Sequence, residues 1–292
     1  MGKSGFYLLR ALTWFIQLFP LRIHFLVSDI LFVLPYYIVR YRRDVVATNL
    51  ANSFPEKSQE ERRLITRKFY HHFCDAFVEN LYFDRISRQE GKNRVKYLNP
   101  ELLNSYLDEG RQVFAFFGHY NNWEWFCNLS LYSDHRLYAV YKKLRSQTFE
   151  LFYRHIRSRF GVIPLEKADT FRQLILDHQK GIPSMSALLF DQTPRPHEIH
   201  HWINFLKQDT PVLTGAEKIA QKLDGVVLFL YSRKIRRGYY ETEFLLVTDH
   251  AGSCAEFELT DRCNILLEKQ ILEQPEFWLW SHKRWKHKRS IE

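Results

Sequence analysis

His119 and Glu124 are the residues whose types and spacing best suit chemistry. They lie in the run Val113-Phe-Ala-Phe-Phe-Gly118-His119-Tyr-Asn-Asn-Trp-Glu124. The apolar part reads as a buried strand that breaks at Gly118 and passes into a helix. A His at such a break stands at the carboxyl edge of a sheet, where α/β proteins bind ligands. Glu124 lies about one turn into the following helix, close enough in sequence to fold back on the ring. A carboxylate on one ring nitrogen fixes the tautomer and supports the imidazolium formed when the other nitrogen takes a proton. The pair therefore fits a general base for a hydroxyl. The same spacing also fits a strand-end His and a Glu that favours a helix N-terminus. Asn121 and Asn122, between them, are candidate substrate contacts.

A second apolar run, 186–190, ends in Asp191-Gln192. If this strand neighbours the first, both residues emerge on the same edge as His119. Otherwise Asp191 opens a turn before Pro194. Lys142 and Lys143 follow another strand end, and Arg154, Arg157 and Arg159 cluster before Gly161. Arg offers a planar fork of donors for phosphate, although a basic run on a helix also serves as a solvated face. His197-Glu198-Ile-His-His201 matches H-E-x-x-H. A zinc site would need both histidines on one helix face and a further ligand elsewhere. Pro194 and Pro196 leave little room for that helix, so a loop is expected and no metal or other cofactor is assigned.

The elements that must position these residues follow from periodicity. Strands are expected at 113–117, 136–140, 186–190, 226–231 and 242–247. Helices are expected at 122–131, 148–160, 170–179, 212–223 and 264–272. Their alternation argues a mainly parallel sheet with helical crossovers. Upstream, Ser58 and Glu61 read as a capping box. The helix it opens carries Ile65, Phe69, Phe73 and Phe77 four apart, with Glu79 on its polar side.

At 292 residues the chain can bury one large core or two modest ones. Aromatic residues make up 16%, and the formal charge of +9 suits an anionic membrane surface, an acidic partner or nucleic acid. Cys74, Cys127, Cys254 and Cys263 form no C-x-x-C, which argues for free thiols in a reducing compartment. Two apolar stretches, 6–19 and 23–39, are interrupted by Arg10, Asp29 and Pro35, and Arg40, Arg42 and Arg43 follow directly. Residues 1–45 read as an uncleaved membrane anchor, either one short tilted span or helices lying in the interface. A pair of buried core helices is the alternative. The tail from Ser281 to Arg289 interleaves five Lys/Arg with Trp285, which fits nucleic acid or lipid headgroups. With apolar helices at the other end, the membrane is preferred over nucleic acid.

Together these residues resemble the lipid A biosynthesis lauroyl/myristoyl acyltransferases, within the lysophospholipid acyltransferase superfamily. Six blocks carry the resemblance in order. They are Asn49 to Glu56, Gly118-His119-x4-Glu124, Arg157-x-Arg159-Phe160-Gly161, Asp191-Gln192-x-Pro194, Phe205-Leu206 through Thr214 to Ala220, and Pro275 to Trp285. Lys207 stands where the family often has Gly, Lys142 stands near a frequent Arg, and the H-E-I-H-H stretch has no counterpart. The resemblance implies an α/β, glycerolipid-acyltransferase-like fold with a mixed, mainly parallel sheet flanked by helices over residues 46–292. It implies acyl transfer from an acyl carrier protein thioester or acyl-CoA to a lipid hydroxyl, most directly a secondary acylation on a phosphorylated lipid A precursor. His119 and Glu124 would be catalytic. Asn121, Asn122, Lys142, Arg157, Arg159, Asp191 and Gln192 would meet substrate. The expected location is the cytoplasmic face of a bacterial inner membrane. A lysophospholipid or aminolipid acceptor, a zinc hydrolase and a non-enzymatic basic membrane binder remain as alternatives.

Overall fold

A computed structural model describes residues 2–289; Met1 and residues 290–292 lie outside the described residues. The elements run α1 (Gly2–Ile16), α2 (Leu21–Leu31), α3 (Arg43–Ser53), α4 (Gln59–Phe83), α5 (Arg88–Arg94), β1 (Val95–Tyr97), α6 (Pro100–Asp108) and β2 (Gln112–Phe117). There follow 3₁₀ turns (Trp123–Leu131), β3 (Arg136–Tyr141), α7 (Gln147–Ser158), β4 (Ile163–Glu166), α8 (Lys167–Gln179) and β5 (Ser184–Leu189). The chain continues through β6 (Trp202–Phe205), β7 (Gln208–Pro211), α9 (Gly215–Lys222), β8 (Val226–Arg236), β9 (Tyr239–Thr248) and α10 (Glu258–Glu273).

Seven strands form one sheet in the order β1-β9-β8-β2-β5-β3-β4. The run from β8 to β4 is parallel, whereas β9 pairs antiparallel with β8. β2 is central and buried along its whole length. Its side chains alternate: Val113, Ala115 and Phe117 join one core, Phe114 and Phe116 the other. This is the expected sheet, with helices on both faces. β1 and β4 are short strands outside the periodicity reading, and β6–β7 is a separate hairpin. The 212–223 helix starts later, at Gly215, because β7 takes the chain to Pro211.

Helix α4 opens on the expected capping box. Ser58 Oγ accepts from Glu61 N–H at 3.2 Å, and Glu61 Oε2 accepts from Ser58 N–H at 2.7 Å. Its four-residue aromatic spacing buries Ile65 and Phe69, but Phe77 is 48% exposed. Each four-residue step overshoots a turn by about 40°, so three steps carry the stripe off the core. Glu79 corrects the expectation of a polar face: it is fully buried.

The N-terminal helices lie on the rest of the chain, α1 against α7 and α2 against α4. Each is fastened by buried polar contacts. Thr13 Oγ1 donates to Asp84 Oδ2 at 3.0 Å, and Ser28 Oγ donates to Asp75 Oδ1 at 2.8 Å. Gln17 Nε2 donates to the Leu81 carbonyl at 2.7 Å. Arg237 joins Asp29 to Asp75. The outer faces are apolar, with Leu8, Phe15, Leu26, Ile30 and Ile38 exposed. Leu21–Ile38, ending in a π-turn that begins Leu34-Pro35, is the stretch long and apolar enough to cross a membrane among the described residues.

Candidate active site

Parallel pairing sets Phe117 of β2 beside Leu189 of β5. Two residues further along each strand, His119 faces Asp191. The imidazole Nδ1 lies 2.6 Å from Asp191 Oδ1, and the His119 N–H donates to Asp191 Oδ2 at 2.8 Å. The indole N–H of Trp278 donates to the same Oδ2 at 2.8 Å. Burial by itself would raise the pKa of Asp191. The neighbouring His119 charge and these three donors outweigh it and hold the carboxyl at about 2. An ionised Asp191 on Nδ1 fixes the tautomer with its proton there. The lone pair of Nε2 then faces outward to the side-chain nitrogen of exposed Gln192, 3.1 Å away. The ring of Trp123 meets the imidazole edge-on at 4.9 Å.

Gly118 allows this approach. A Cβ there would lie 2.6 Å from Leu267 and 3.2 Å from Asp191 Oδ2. Beyond His119 the chain turns sharply through Asn121, whose φ is +56°, a conformation that Asn tolerates better than most residues. It then enters 3₁₀ turns rather than the expected α-helix.

That turn redirects Glu124. The expected contact with His119 is not formed; instead Arg157 holds Glu124 through two bonds, Nε to Oε2 at 2.9 Å and Nη2 to Oε1 at 2.7 Å. Five residues along an α-helix already point about 140° apart, so spacing gave little support to the pairing. Asp191 occupies the ring nitrogen assigned to Glu124. Arg157 is further enclosed by the rings of Tyr141 and Tyr153.

The other candidates separate. Asn121 and Asn122 point inward, the first to Ser232 at 3.1 Å and the second to Glu79 Oε2 at 2.8 Å. Arg159 binds the carbonyls of Asp84 and Ile86, so its donors serve the end of α4. Lys142 is exposed just past β3, at the same carboxyl edge as His119 and Gln192. His201 is held by Asp261 at 2.7 Å and stacked on Phe257, while Glu198 binds the N–H of Arg195. Residues 196–198 form a single 3₁₀ turn, the cramped setting that the prolines implied.

Two further residues complete the surroundings. Glu79 accepts from Asn122 and Tyr240, and burial raises its pKa. Trp278 reaches Asp191 from the segment after α10. The sequence marked this segment only as a block of resemblance, and nothing in its spacing ties it to a strand end more than eighty residues earlier.

A His–carboxylate pair thus stands at the carboxyl edge of a parallel sheet in an α/β fold, with one ring nitrogen facing outward, a geometry that can take a proton from a hydroxyl. Residues 2–287 match the family described as bacterial lipid A biosynthesis acyltransferase, and the chain belongs to that family. It is therefore an acyltransferase of lipid A biosynthesis, acting on an acyl donor and a lipid acceptor. No curated protein matches the chain.

Proposed function

We propose that the protein moves a fatty acyl chain from an acyl carrier protein thioester, or acyl-CoA, to a hydroxyl of a phosphorylated lipid A precursor, as a secondary acylation. His119 is the general base. The observation that carries this is the division of its ring: Nδ1 belongs to buried Asp191, and Nε2 faces the exposed Gln192 amide. The Gln192 nitrogen marks where the acceptor oxygen would sit. When that hydroxyl displaces the amide, its proton passes to Nε2 as its oxygen attacks the thioester carbon. The carbonyl oxygen takes up negative charge. Collapse expels the thiolate, which recovers the proton from the imidazolium. A positioned base of this kind contributes about 10²–10⁴-fold.

The opening N–H groups of the 3₁₀ turns, at Trp123 and Glu124, have no acceptor within those turns and are the candidate donors to the oxyanion. The Glu124–Arg157 pair fixes these turns against α7, which gives the motif's acid a role beside the base rather than on it. Lys142, exposed at the same edge, is the candidate contact for the acceptor's phosphate.

Residues 1–45 serve as the membrane-seating segment and 46–292 as the catalytic unit. An interfacial seat at the cytoplasmic face of the inner membrane accounts for both sides of α1 and α2. Their inner faces hold Asp84 and Asp75, and their outer faces offer apolar side chains to lipid. Withdrawing α2 as a span would strip Asp75 of Ser28. The basic tail adds a second attraction to anionic lipid.

The direct test is incubation of purified protein with acyl carrier thioesters, acyl-CoA and a panel of acceptor lipids, read by mass spectrometry. A new ester on a lipid A precursor is expected. Acylation of lysophospholipid or aminolipid alone would overturn the acceptor assignment.

A further inference from the structure

The chain between Pro275 and Trp285 closes over both members of the catalytic pair. Beside His119, Leu279 N–H donates to the His119 carbonyl at 3.1 Å, and Asn121 N–H donates to the Phe277 carbonyl at 3.0 Å. Beside Asp191, Thr193 N–H donates to His282 Nε2 at 3.1 Å, and Thr193 Oγ1 donates to the Arg284 carbonyl at 2.7 Å. The outer side of this strap is tied to α3. Asn49 Nδ2 donates to the Trp280 and His282 carbonyls at 2.9 and 3.0 Å, and Arg42 donates to the Ser281 carbonyl at 2.9 Å. The strap thus pairs with the residues following each catalytic side chain.

At its centre, the Trp278 ring is packed against Trp280, Trp285 and Phe205 and is 2% exposed. Packing on three sides fixes where its N–H points. That N–H and the His119 backbone N–H both bind Asp191 Oδ2. With Oδ2 doubly engaged, the carboxylate cannot rotate, and Oδ1 is left for the imidazole. Bonds to an ionised acceptor are the stronger kind.

We propose that Trp278 is a positioning residue for acyl transfer, its indole N–H holding Asp191 so that Oδ1 faces His119. This rests on the reading of His119 as the general base. Three changes test it: Trp278→Phe, replacement of Trp278 by benzothienylalanine, and Tyr138→Phe. The second keeps the ring's shape and exchanges N–H for sulfur, so it remains informative even if the Phe variant does not fold. The third removes an equally buried donor to a carboxylate, the Tyr138 hydroxyl on Asp177 Oδ2 at 2.6 Å, which touches neither the pair nor the strap.

Removing a donor to a charged acceptor should lower kcat about tenfold or more, with KM changed less than about threefold. The acid limb of the kcat profile should move to higher pH, because Asp191, relieved of one donor, attracts the imidazole proton more strongly. The other titratable groups facing Asp191, His282 and Arg284, are unaltered by these changes. In an Asp191→Asn background, Trp278→Phe should have no further effect on kcat. Tyr138→Phe should lower stability and leave the acid limb in place. If both Trp278 changes match Tyr138→Phe in kcat and pH profile, or add fully to Asp191→Asn, the positioning role is overturned. His119→Ala run in parallel separates the two ideas. An inactive His119→Ala enzyme with unremarkable Trp278 variants removes only the positioning role, whereas an active one removes the general base and this proposal with it.

Discussion

His119 is 12% exposed on its side chain and Asp191 3%, while Gln192 stands in solvent. This gradient gives each residue a different expected response. His119→Ala should lose about 10²-fold or more in turnover while still folding. Asp191→Asn should fall comparably, because an amide can hold the ring in the wrong tautomer; turnover above about a tenth of wild type in either would refute the base assignment. Glu124→Gln acts differently. Its partner Arg157 is largely enclosed, so the change should cost about 3–5 kcal/mol in urea unfolding. Combining it with Arg157→Met should cost less than the sum of the two single changes; simple additivity would show that the pair is not coupled. His282 adds a pH dependence. Burial first, then the charges of Arg284, His119 and Arg42, lower its pKa to about 4 against the opposing pull of Asp191. Its folded pKa lies below the unfolded value, so the stability it contributes is complete above about pH 6.5 and is lost as pH falls towards 4. Unfolding midpoints measured over that window should decline less in His282→Gln than in wild type.

At the scale of elements, the β6–β7 hairpin explains a departure from the resemblance. Its two loop residues, Leu206 and Lys207, have φ of +50° and +61°, the paired left-handed geometry that suits hairpin twist and favours Gly. Lys207 therefore sits where backbone strain is expected, partly offset by its exposed contact with Glu56. Lys207→Gly should raise stability by about 1 kcal/mol, read as a higher denaturation midpoint at an unchanged slope. A lower midpoint would mean that the Glu56 contact outweighs the strain. The same scale explains the α4 stripe, where four-residue spacing drifts off the core while Glu79 turns inward to Asn122.

Across the whole molecule, polar fastenings and apolar exposure lie on opposite sides of the N-terminal helices. Leu8 and Ile30 are 74% and 73% exposed. Burying one such side chain contributes about 1.5–3 kcal/mol. The double change Leu8→Asp and Ile30→Asp should therefore cut flotation with anionic vesicles by about two orders of magnitude, with thermal stability unchanged. Added salt alone should weaken wild-type flotation only in part, because screening acts on the basic residues and not on apolar burial. Undiminished flotation of the double variant would refute an interfacial seat on these helices.

Local order along the chain determined much of this. Apolar runs of strand length, helical periodicity between them, the break at Gly118 and the Ser58–Glu61 cap are short-range patterns. They were legible because each is set by neighbours within a turn or a strand. The pairing of His119 with Asp191 was half legible: both strand ends were visible, but not that β2 and β5 lie side by side. Strand order is a long-range choice made by packing both faces of the sheet, and it is unmarked in either segment. The same holds for the rest of the site. Whether Glu124 meets His119 or Arg157 depends on a left-handed turn at Asn121 and on where α7 docks. Trp278 reaches Asp191 only because the C-terminal strap is fastened to α3. The residue types capable of the chemistry were fixed by sequence, and their partners were decided by contacts between segments far apart in the chain, whose geometry exists only once the core has packed.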